Sequence, residues 1–127
     1  MSSVISVENA RILKRSGFPQ SSQAYWRCEL PNLTSISGLP ISSKERGKLR
    51  WLLVRGKPEE PFAAAYTLEE LQKILKSYME GHHIKRGFPQ IRKEDDHYVC
   101  SIDHSDMFVG LTEQDVFASA VLYMIRL

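Results

Sequence analysis

Between Gln90 and Leu111 the chain reads QIRKEDDHYVCSIDHSDMFVGL. Three strand-like runs follow one another closely here: Gln90 to Glu94, His97 to Ile102 and Met107 to Leu111. In the middle run, Tyr98, Cys100 and Ile102 alternate with His97, Val99 and Ser101, the period of two expected of a half-buried strand. The polar pair Asp95-Asp96 is short enough to fold the first run back on the second as a hairpin. Strands joined this closely leave no room for a crossover, so an antiparallel sheet is expected.

Helical punctuation surrounds this stretch. Upstream, Thr67 and Glu70 form a capping box ahead of a helix from Leu68 to about Glu80. Its Leu68, Leu71, Ile74, Leu75 and Tyr78 recur at helical spacing, and Gly81 is expected to end it. Downstream, Thr112 and Asp115 make an Asp-bearing version of the box, opening a helix from Glu113 to about Arg126. Val116, Phe117, Ala120, Val121, Met124 and Ile125 give that helix a wide apolar arc, so it is either central in the fold or covered by a partner. A first helix, Val7 to Ser16, starts after Ser6 and stops at Gly17-Phe18-Pro19. There a glycine takes the left-handed conformation and a proline cannot continue the helix.

Two further strands, Gln23 to Leu30 and Lys48 to Arg55, complete the order α-β-β-α-β-β-β-α. Residues 31–47, PNLTSISGLPISSKERG, read as a long loop, and Gly56 to Pro61 as a second one. With 127 residues, 43% of them apolar, one domain spanning residues 1–127 is expected. Its architecture is read as α+β, a single layer of mostly antiparallel sheet packed with about three helices. The string KRSGFPQ at 14–20 returns as KRGFPQ at 85–90. Nothing else aligns at that offset, so shared stop-and-turn chemistry accounts for it.

Several classes fall away. The longest apolar runs are too short to cross a bilayer, and the start lacks the apolar core of a secretory leader, so a cytoplasmic protein is expected. Cys28 and Cys100 do not make a disulfide framework. There is no phosphate-binding glycine loop and no nucleophile elbow, and the carboxylate pairs 59–60, 69–70 and 95–96 point apart on any regular element. No catalytic residue and no cofactor is therefore expected. His82, His83, His97 and His104 lie near Asp95, Asp96, Asp103 and Asp106, but without metal-ligand spacing, and a histidine past a helix end needs no metal.

Charge is uneven along the chain. Residues 1–57 hold ten Lys or Arg against three acids, a balance of +7, and residues 58–127 hold seven against twelve, a balance of −5. Within the basic half, Lys44, Arg46, Lys48 and Arg50 project to one side if extended, with Trp51 beside them. Cations next to an aromatic suit a single-stranded nucleic acid. The plainer account is a solvated loop entering a strand, with Trp51 packed beside Leu49 and Leu53.

Four stretches together resemble a group of small phage and prophage proteins. They are ILKRSGFPQSSQAYW at the start, AAAYTLEELQKIL in the middle, the strand around Tyr98, and LTEQDVFASAVLYMIRL at the end. The match covers about half of the chain in the expected order and departs over Pro31 to Arg55. The resemblance implies lineage and brings no catalytic residues with it. The expectation is a non-catalytic accessory or protein-interaction protein of phage or mobile-element origin. It would bind another protein or its own copy through Val116, Phe117, Val121, Met124 and Ile125. The alternative is a weak nucleic-acid binder using the stretch 44–51.

Overall fold

The computed structural model describes residues 3–29 and 50–126. Along the chain run α1 (Val7–Arg15), β1 (Ala24–Glu29), β2 (Arg50–Arg55), β3 (Phe62–Ala64), α2 (Leu68–Gly81), β4 (Gln90–Glu94), β5 (His97–Ile102), β6 (Ser105–Gly110) and α3 (Glu113–Ile125). The fold is α+β. The strands form two three-stranded antiparallel sheets, ordered β2-β1-β3 and β4-β5-β6, where a single layer was expected.

The additional strand explains the second sheet. Gly56 to Pro61 does not lead straight into a helix, because Phe62–Ala64 first pairs with β1 through Tyr25↔Ala64 and Arg27↔Phe62. That strand is buried throughout and rich in alanine, so it carries none of the alternation or β-branching that marks a strand in sequence. The predicted loop 31–47 lies outside the described residues.

The second sheet is a meander. Asp95-Asp96 joins β4 to β5 in two residues, with Asp95 at φ 48°, and Asp103-His104 joins β5 to β6 with both residues at positive φ (52° and 67°). Positive φ at both central residues gives the turn a twist matching that of the flanking strands. A bulge at Cys100/Ser101 shifts the β5–β6 register by one, so Cys100 faces Phe108 while Ser101 faces Asp106.

Capping follows the sequence closely. Thr67 and Glu70 form the complete reciprocal box of α2, and Ser6 caps α1 by accepting from the Asn9 N–H. Gly17, at φ 83°, ends α1 as expected. Helix α2 runs one residue past its predicted stop: Gly81 is helical, and His83 (φ 52°) makes the left-handed exit.

Helix α3 packs against α1, α2 and all three strands of the second sheet. Val116, Phe117, Val121 and Met124 are fully buried in this chain's own core, and Ile125 is partly buried against it. This corrects the surface expected to bind a partner. Burying each such side chain contributes about 1.5–3 kcal/mol, and the fold has already used these for itself. Of the two readings of a helix this apolar, the central one holds. No described helix is long and apolar enough to cross a membrane.

Candidate functional site: an amphipathic groove beside the second helix

A groove of about 610 Å³ runs between the C-terminal half of α2 and the segment that follows it, open to solvent. Met79, Ile84 and Phe88 supply its apolar lining, and Lys73, Lys76, Arg86, Gln72 and Glu80 surround them. On the helix side, the spacing of 72, 76, 79 and 80 places these residues along one stripe about two turns long. On the opposite side, residues 84, 86 and 88 alternate along extended backbone.

That opposite wall is fixed by the hairpin turn of the second sheet. The Asp103 carboxylate accepts from Arg86 Nε at 2.7 Å and from the Gly87 backbone N–H at 2.8 Å. Arg86 also donates to the Tyr123 hydroxyl at 3.0 Å and lies over that ring. The Gly87 N–H and the Arg86 guanidinium hold the Asp103 carboxyl below its ordinary pKa, and the same carboxylate raises that of Arg86. Gly87 is required by this clamp, because a Cβ there would lie 2.7 Å from Asp103 Oδ1. Next to it Phe88 packs on Phe117, with ring centroids 5.7 Å apart, and keeps 37% of its surface exposed. The Ile84 N–H donates to the Met79 carbonyl at 3.0 Å, which ties the two walls together at the helix exit.

The charge on the rim is unevenly committed. Arg86 is neutralised by Asp103, whereas Lys73 and Lys76 are exposed and make no ion pair among the described residues. Glu80 is the one acid lining the groove. The arrangement can hold an apolar stripe against Met79, Ile84 and Phe88 while attracting carboxylates to the two lysines. It offers no nucleophile paired with a base.

The sequence-predicted sites fare differently. Lys44, Arg46 and Lys48 lie outside the described residues. Arg50 opens β2 and is exposed, while Trp51 is half-buried opposite Cys28. Being adjacent on a strand, these two point to opposite faces. The Arg11 guanidinium sits over the Trp51 ring, 5.2 Å from its centroid, so a residue of the chain itself takes the position a base would need. Leu53, expected to pack beside Trp51, is 49% exposed. Apart from the ion pair Lys14–Glu60, which joins the basic and acidic halves, the Arg–carboxylate pairs of the described residues lie within the acidic half.

The histidines are dispersed. His82 stacks on Tyr78 at 3.9 Å and donates from Nδ1 to the Tyr78 carbonyl. His97 and His104 stand at opposite ends of β5, and among the described residues no three His, Cys, Asp or Glu side chains cluster to hold a metal ion. No family model, curated protein or solved structure matches the chain.

The groove was not found from the sequence because its lining spans residues 72–88 and two kinds of backbone. The string KRSGFPQ buries its Phe18 against Tyr66, whereas KRGFPQ leaves Phe88 partly exposed. The two copies share turn chemistry but differ in what their phenylalanine has left to cover.

Proposed function

We propose that the chain is a non-catalytic interaction protein of phage or mobile-element origin. In this reading the groove beside α2 receives a helical segment of a partner protein carrying an apolar stripe flanked by Asp and Glu. The observation that supports it is the combination of an anchored apolar wall, Ile84 to Phe88, with two uncommitted lysines on the facing helix. Amphipathic helices dock in such grooves through residues at i, i+3 or i+4 and i+7, and opposite charge at the rim speeds association and sets orientation. The lineage part of the proposal rests on the four stretches that resemble phage and prophage proteins.

A displayed library of helical peptides, panned against the wild-type protein and against Phe88→Asp, tests this directly. Binders should carry acidic residues beside an apolar stripe, lose affinity for Phe88→Asp, and weaken against Lys73→Glu plus Lys76→Glu. Binders indifferent to all three substitutions would overturn the groove. Retention on single-stranded DNA or RNA at low salt, abolished by Arg50→Glu, would assign the protein to nucleic-acid binding instead.

A further inference from the structure

The string that occurs twice in the chain ends in glutamine both times, and the two glutamines are engaged differently. In the first copy Gln20 is held within the fold. Its Oε1 accepts from the Ala64 N–H at 2.7 Å, and its Nε2 donates to the Phe18 carbonyl at 3.2 Å. In the second copy the Gln90 side chain makes no hydrogen bond among the described residues. It lines instead a second cavity, of about 150 Å³, which shares Phe88 with the groove beside α2. Ser101, directly opposite Gln90 across the β4–β5 ladder, and His104 of the following turn line it too, and their side chains are likewise unbonded among the described residues. The remaining polar group, the Asp103 carboxylate, is committed to Arg86 Nε and the Gly87 N–H. The groove is long and apolar, whereas this cavity is small and edged by donors and acceptors. It suits the head of one side chain and not a helix.

Charge decides what that head can be. An anionic group would face the Asp103 carboxylate, and a cationic one would compete with Arg86 for it. A neutral group avoids both. Gln90 and Ser101 can each donate and accept, so a guest that pairs with both must do the same. A primary amide carries two donors and an acceptor, where a hydroxyl carries a single donor. Gln20 shows the pairing inside the fold, its amide oxygen taking an amide N–H. The backbone amides along a helix are bonded internally, so a helical guest supplies this group from a side chain. We infer that Gln90 and Ser101 form a specificity pocket for the carboxamide of an Asn or Gln carried by the partner helix beside its apolar stripe. This rests on the groove reading above, because Phe88 walls both spaces and a helix covering it lies within a side chain's reach of the pocket. An apolar residue in that place would leave Gln90 and Ser101 without partners, which is how a polar pocket rejects the wrong side chain.

The test uses the full chain and helical peptides selected by panning on the wild type. Among binders that need Phe88, one position flanking the stripe should be enriched in Asn or Gln. Changing that residue to leucine in a synthetic peptide should weaken binding to the wild type on the order of tenfold, the loss of two neutral hydrogen bonds. Against Gln90→Ala plus Ser101→Ala, with an unchanged circular dichroism spectrum, the same peptide change should have little effect. Phe88-dependent binders without the amide preference, or with one that persists against the double variant, would overturn this inference and leave the groove standing. Failure to recover any Phe88-dependent binder would overturn the groove and the pocket together.

Discussion

Removing the Asp115 carboxylate should destabilise this protein well beyond what an ordinary surface acid contributes. Asp115 lies in the first turn of α3, yet its Oδ1 accepts from the Ser6 backbone N–H at 2.7 Å and from Asn9 Nδ2 at 2.8 Å, both at the start of α1. Its Oδ2 accepts from the Thr112 hydroxyl at 3.1 Å, which in turn accepts from the Asp115 N–H. One carboxylate thus serves the N-termini of two helices more than 100 residues apart in sequence, where their dipoles favour negative charge. A hydrogen bond to a charged group contributes about 1.5–3 kcal/mol, and partial exposure puts these two at the lower end. Loss of the Oδ1 bonds in Asp115→Ala, with a part-buried Ser6 N–H left unpaired, therefore predicts about 2–3 kcal/mol of destabilisation. For 127 residues that corresponds to a fall in Tm of roughly 10 °C. Urea unfolding followed by circular dichroism measures it, with an unchanged slope against urea expected because the exposed surface is the same. Glu113→Ala, two residues away in the same first turn and without these partners, serves as the comparison. A loss under about 0.5 kcal/mol would refute the reasoning, since surface positions without partners vary by that much.

Two further outcomes can be stated. Tyr66 is fully buried and its hydroxyl makes no full hydrogen bond among the described residues; burial pushes its pKa well up against a smaller opposing effect of the Ser21 backbone. Tyr66→Phe keeps the ring against Phe18 and removes an unsatisfied polar atom, so urea unfolding should show unchanged or greater stability, by up to about 1 kcal/mol. A clear loss would mean the hydroxyl has a partner. Asp103 and Asp106 are held below the ordinary value of 3.8, Asp103 chiefly by the Gly87 N–H and Asp106 by Arg92. Since the folded value is the lower one, each contributes stability that is present above the ordinary value and lost as pH falls through the folded one. Asp103→Asn and Asp106→Asn should each flatten the decline in unfolding free energy as pH falls below the ordinary value of 3.8. Slopes identical to the wild type would remove the argument.

What was legible in the sequence is what depends on neighbours in the chain. The N-caps at Ser6, Thr67 and Thr112 and the stop at Gly17 are contacts across three or four residues, and all stand where the pattern put them. The Asp95-Asp96 hairpin was legible for the same reason. Phe62–Ala64 was not, because an alanine run becomes a strand only through pairing with β1, some 37 residues away at Tyr25↔Ala64 and Trp26↔Ala63. The division into two sheets followed from that omission. Asp115 was read as part of a local box, while its strongest bonds reach back to Ser6 and Asn9. The apolar arc of α3 was visible, but the covering surface, the chain's own core, was a matter of tertiary packing.

The two cysteines give this fold a pair of internal clocks. Cys28 lies on the central strand of the first sheet and Cys100 on the central strand of the second, both buried, and burial pushes the Cys100 thiol up to about 11. A thiol so placed reacts with a soluble reagent only when its sheet opens. Labelling at each site, followed by mass spectrometry, therefore times the opening of each sheet separately without an added probe. Equal rates would make the two sheets one cooperative unit, joined through α1 on β3 and α3 on the second sheet. Unequal rates would identify which half of the chain opens first.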